Sequence, residues 1–115
     1  MSHAVVHFEV SGRDVEKLRG FYGELFDWKT QSVPGMSYVL VEKEGDGIAG
    51  GIGESPTGNG SGVTFYVQAA DPQAVLDDAV RLGGTVIKEV DEMPQVTLAM
   101  FADPEGNVIG VVKGP

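Results

Sequence analysis

Five side chains in this sequence have the types and the spacing to build a polar site. His7 and Glu9 stand two apart in Ala4-Val5-Val6-His7-Phe8-Glu9-Val10, and Thr64, Tyr66 and Gln68 alternate in the same way in the run from Val63 to Ala69. In a strand, residues two apart point to the same face. Each polar set would therefore line one side of its strand while Phe8 and Val10, or Phe65, Val67 and Ala69, turn toward a core. His7 could hydrogen-bond, ligate a metal or carry a proton near neutral pH. Glu9 could attract a cation, or serve as a base in a dry pocket that raises its pKa; the same carboxylate could equally stand in solvent. Thr64, Tyr66 and Gln68 offer a hydroxyl, an aromatic surface and an amide, a set suited to a small organic molecule. Tyr38, Phe101 and Trp28 could line the same space, but alternation alone does not set which way they face.

Other chemistries are excluded by composition. The chain has no cysteine, which removes disulfides, thiolate metal sites and cysteine nucleophiles, and fits a reducing, cytoplasmic compartment. Its two histidines, one of them His3 near the terminus, leave little for a catalytic triad. The net charge of −9, with eight basic residues scattered singly, argues against nucleic acid and anionic membranes as partners and favours a cationic small molecule. No apolar run approaches the roughly 20 residues of a membrane span, and Met1-Ser2-His3 does not open a secretory leader. Gly45-Asp-Gly-Ile-Ala-Gly50 spells a dinucleotide-binding string, but no helix follows it.

The elements that must hold these residues come in two copies. An offset of 57 residues carries His7 onto Thr64, Val10 onto Val67, Asp14 onto Asp71, Leu18 onto Val75 and Leu25 onto Leu82. In each copy a strand leads through a capping aspartate into a helix. The first helix is expected at about 14–26; the second opens at Asp71-Pro72 and stops at Gly83-Gly84. Three strands follow each helix: Trp28 to Val33, Met36 to Lys43 and Ile48 to Gly53 in the first copy, Thr85 to Val90, Gln95 to Ala102 and Asn107 to Lys113 in the second. A single domain is expected, with module 1 at about 4–53, a turn-rich linker at 54–62 and module 2 at about 63–113.

The runs His7-Phe8-Glu9-Val10, Phe21-Tyr22-Gly23-Glu24-Leu25-Phe26-Asp27-Trp28, Gly50-Gly51-Ile52, Phe65-Tyr66-Val67, Leu82-Gly83-Gly84 and Asp103-Pro104-Glu105-Gly106-Asn107-Val108-Ile109-Gly110 together resemble the vicinal oxygen chelate superfamily. This is the group of glyoxalases, bleomycin-resistance proteins and extradiol dioxygenases. The resemblance implies an α+β fold in which two βαβββ repeats form a cupped eight-stranded mixed sheet, usually in a homodimer. It also implies a divalent metal in the concave cavity, held from positions that correspond here to His7, Gly51, Thr64 and Gly110. Only His7 of the four is a ligand-type residue, since glycine has no side chain and a threonine hydroxyl is a poor ligand for transition metals. The expectation is a metal-independent small-molecule-binding protein without a cofactor, with His7, Glu9, Thr64, Tyr66 and Gln68 in the pocket. The glycines at 51 and 110 are expected to leave room there. The alternative is a lyase, isomerase or oxygenase of the glyoxalase or dioxygenase type, using His7 with a divalent metal or using His7 or Glu9 as a base. A domain kept only for protein interaction is a third reading.

Overall fold

In the computed structural model, which describes residues 2–55 and 61–115, both helices begin at the aspartates expected to cap them. The Asp14 carboxylate accepts the Lys17 N–H at 3.0 Å and opens α1 (Val15–Phe26). The Asp71 carboxylate accepts the Ala74 N–H at 3.2 Å and opens α2 (Pro72–Arg81), whose proline fills a position that has no intrahelical partner to lose. α1 ends at Asp27, held at φ 57° in the left-handed region, and the chain after α2 turns through Gly83 at φ 104°.

The chain divides into two compact units, one of residues His7–Val63, the other of Thr64–Pro115 together with the residues up to Val6. The first unit holds β1 (Val5–Gly12) from His7 on, α1, β2 (Thr30–Ser32), β3 (Tyr38–Val41) and β4 (Ala49–Glu54), with strand order β2-β3-β4-β1. Here β1 and β4 run parallel and the other neighbours antiparallel. The second unit repeats the plan with β5 (Gly62–Ala69) from Thr64 on, α2, β6 (Thr85–Glu92), β7 (Thr97–Ala102) and β8 (Val108–Lys113), in the order β5-β8-β7-β6 with β5 and β8 parallel. The fold is thus α+β, built from two βαβββ repeats on mixed sheets. Of the expected linker 54–62, residues 56–60 lie outside the described residues; Glu54 and Gly62 at its ends belong to β4 and β5.

Strand alternation divides each sheet into two faces. In the first unit Val39, Val41 and Ile52 are buried with Val15 of α1, and Phe8, Leu18, Tyr22 and Trp28 pack against them. Trp28 lies 5.2 Å from Phe8 and 5.1 Å from Tyr22 between ring centres, so it is a core residue and not part of the polar site. Arg19 fastens α1 to β2, donating from Nε to the Thr30 hydroxyl at 2.8 Å and from Nη1 to the Ser32 hydroxyl at 3.0 Å. In the second unit Leu76 of α2, Ala99 and Val111 are fully buried, and the register sets Val111 beside both Val67 and Ala99.

Candidate functional site

The face of β1 turned away from Phe8 and Val10 carries His7, Glu9 and Ser11. The register places Glu9 against Gly51 of β4, Leu40 of β3 against Gly51 on its other side, and Tyr38 against Gly53. Val39 and Val41 belong to the helix-side core, so their neighbours Tyr38 and Leu40 share the face of His7 and Glu9. Tyr38 is the residue of this face that sequence reasoning left unplaced. The available signal was the buried pair Val39 and Val41, which fixes Tyr38 by alternation once both are assigned to the core.

His7 and Tyr38 form the centre of this face. A hydrogen bond of 2.8 Å joins His7 Nε2 to the Tyr38 hydroxyl, and the two rings stack with 20° between planes. Burial lowers the His7 pKa from its ordinary value of 6.5, because the imidazolium loses hydration there while the neutral ring loses little. At neutral pH the ring is therefore an uncharged donor and acceptor, able to exchange a hydrogen bond with the phenol or take up a proton. Glu9 is only 6% exposed, which overturns the reading of a solvated carboxylate. Ser11, equally buried, donates to the Gly62 carbonyl at 3.3 Å.

The glycines at 51 and 110 do not leave room. A Cβ at Gly51 would overlap the Tyr38 hydroxyl and the ring carbons next to it, and one at Gly53 would meet the other edge of the same ring. In the second unit Tyr66 lies beside Gly110 in the register, and its ring fills the space a side chain there would need. On the 57-residue offset Glu9 corresponds to Tyr66, so the positions paired with them in the parallel strand, 51 and 110, are equivalent places in the two units. Each is a glycine covered by a tyrosine.

A divalent metal does not fit this donor set. Of the four inherited positions, two have no side chain and are covered by phenol rings. At a third, Thr64 donates its hydroxyl hydrogen toward the Val108 carbonyl. Among the described residues no three His, Asp or Glu side chains converge on a point where a cation could sit. The remaining sequence candidate, Gln68, lies with its side-chain amide against the backbone at Gly114, and its backbone carbonyl meets His3 Nδ1 at 3.1 Å. The structure thus brings His7 and Glu9 together with Tyr38 in the first unit and places Thr64, Tyr66 and Gln68 in the second. A separate shallow cavity of about 300 Å³ opens beside the start of α1, lined by Arg13, Asp14, Ser32, Met36 and Tyr38 among others. It touches the polar face only through Tyr38, and its exposed charges of both signs make it the weaker candidate.

Comparison with known proteins supports the family independently of the site. A "Glyoxylase-like domain-containing protein" from Didymella fabae is 28% identical over 96% of this chain and 98% of its own length. Among solved structures, a glyoxalase/bleomycin resistance protein/dioxygenase superfamily member from Vibrio splendidus superposes with a TM-score of 0.63, at 18% identity over 98% of this chain and all of the other. A methylmalonyl-CoA epimerase from Streptomyces coelicolor gives the same TM-score and identity over 96% of both chains. At such identities these structures speak for the fold alone. The glyoxalase-like domain family matches residues 7–112, nearly the whole of the repeat, and the chain belongs to that family.

Proposed function

We propose that this protein binds a small organic molecule without a metal, and that His7, Tyr38 and Glu9 receive its polar end. The observation that carries this reading is the Tyr38 hydroxyl, which stands over Gly51 where a ligating side chain would be and is hydrogen-bonded to His7. A buried carboxylate at Glu9 and a net charge of −9 favour a cationic ligand. Thr64, Tyr66 and Gln68 belong to the proposal as the corresponding polar set of the second unit. The cysteine-free chain suits the cytoplasm.

A second reading has its own support. A neutral His7 is competent as a general base, and one protein of the same fold is an epimerase, so a metal-free isomerase or lyase using His7 follows from the same geometry.

One screen separates the two. Small organic cations and neutral hydrogen-bonding compounds are scanned for thermal stabilisation, which for a binder grows as RT ln(1 + [L]/Kd). Stabilisation without turnover, lost in both His7→Ala and Tyr38→Phe, is the expected result. A compound consumed by the wild type and not by His7→Ala supports the enzyme. A shift untouched by both substitutions removes His7 and Tyr38 from the site.

A further inference from the structure

The cavity beside the start of α1 has a chemistry of its own. It lies wholly within the first unit, and its volume of about 300 Å³ is at the small end of the range in which proteins enclose small molecules. Its buried lining is apolar, since Val15 and Val39 both belong to the helix-side core. Met36, 49% exposed, and Tyr38 carry that apolar surface outward. Three exposed charged residues, Arg13, Asp14 and Glu16, stand at the mouth. Among the described residues the ion pairs are Arg19 with Glu16, Arg81 with Asp78 and Lys88 with Asp91, so Arg13 is joined to neither carboxylate of its own cavity. The Asp14 carboxylate is given to the Lys17 N–H, and Glu16 meets Arg19 at 3.6 Å in an exposed, weak pair. A cation and two anions thus border one space over an apolar floor without neutralising one another.

We infer that this cavity is a second binding site, for a small zwitterion with an apolar body, of which a free apolar α-amino acid is the simplest form. Its carboxylate goes to Arg13, whose planar guanidinium can donate two parallel hydrogen bonds to it. Its ammonium goes to Glu16, with Asp14 beside it, and its side chain lies against Val15, Val39 and the adaptable Met36. A ligand of one charge leaves the opposite charge of the mouth unanswered. Net neutrality also matters, because a chain of net charge −9 repels a simple anion but not a zwitterion. The site is separate from the face of His7 and Glu9, which it meets only at Tyr38. Its occupancy is therefore independent of the function proposed for that face.

The test is titration followed by amide NMR spectra, which also report that each variant is folded. The probes are L-leucine and L-phenylalanine, with phenethylamine and phenylpropionate as analogues of phenylalanine that lack its carboxylate or its ammonium. The amino acids are expected to shift the amides of residues 13–16 and 36–39 with saturation in the millimolar range, and each analogue to bind there more weakly. Arg13→Gln should weaken phenylalanine roughly fivefold and leave phenethylamine unchanged; Glu16→Gln should weaken phenylalanine by a similar factor and leave phenylpropionate unchanged. His7→Ala should leave phenylalanine binding as it was. The inference is overturned if neither amino acid shifts these amides, if either analogue binds there as well as phenylalanine, or if Arg13→Gln and Glu16→Gln are both without effect. Loss of binding in His7→Ala also overturns it, by moving the ligand to the polar face.

Discussion

Residues 38 and 51 occupy one volume between them, and the same holds for 66 and 110. Adding a methyl group at either glycine forces a phenol ring aside, the kind of overpacking that costs about 1–3 kcal/mol. The two cases differ in which atoms are met. At Gly51 it is the hydroxyl end of a half-buried ring, which can swing at the loss of its bond to His7; at Gly110 it is the near edge of a ring only 8% exposed. Gly110→Ala is therefore expected to destabilise more than Gly51→Ala in urea denaturation, and Tyr38→Ala should relieve the second but not the first. His7 gives a pH signature with a definite sign. Its folded pKa lies below 6.5, so on acidification the unfolded chain takes up a proton before the native state does, and stability falls as pH drops through 6.5. His7→Gln should flatten that part of a stability profile measured from pH 8 to 5.5. At this scale legibility was uneven. The side of the strand on which His7 and Glu9 stand follows from alternation, but burial of Glu9 depends on neighbours far along the chain, and a four-residue strand such as β3 is too short to declare the facing of Tyr38 by itself.

The elements were the most legible level, because their signals are local. Asp14, Asp71, Pro72 and Gly83 act within one turn of where they stand, and the observed helices begin within a residue of the expected places. Asp14→Ala and Asp71→Ala should each cost about 1 kcal/mol by urea denaturation, whereas Asp77→Ala on the exposed face of α2 should stay within about 0.5 kcal/mol. Strand ends were less legible. The strand expected from Trp28 to Val33 narrows to Thr30–Ser32 because Trp28 is drawn into the aromatic core, and that expected from Met36 to Lys43 narrows to Tyr38–Val41. The clasp of Arg19 on Thr30 and Ser32 was invisible, since it joins a helix to a strand through side chains whose meeting requires the fold.

For the whole molecule the repeat carried the recognition: two copies of one strand-helix-strand plan, with capping aspartates and apolar strand and helix positions at matching offsets, specify the architecture without any one motif being decisive. Function was less legible, because a missing ligand is visible in sequence as a glycine while its replacement is not. Among the described residues no helix is long and apolar enough to cross a membrane. Calorimetric titration of chelator-stripped protein with zinc, nickel, manganese and iron(II) is expected to show no micromolar site. Binding at one ion per chain, lost in His7→Ala, would instead place the protein among the metalloenzymes of its family.

The covered glycine also bears on how this protein could change. A mutation that installs an imidazole or carboxylate at position 51 collides with Tyr38 before it can meet any ion. The tyrosine would have to go first, which opens a cavity and releases His7 from its partner, a step of net loss by itself. A metal ligand at this position could be acquired only in a fixed order, with a valley in its middle. Under the proposed metal-free function, descendants of this chain would be kept from a metal ligand at position 51 by the order of steps that installing one requires.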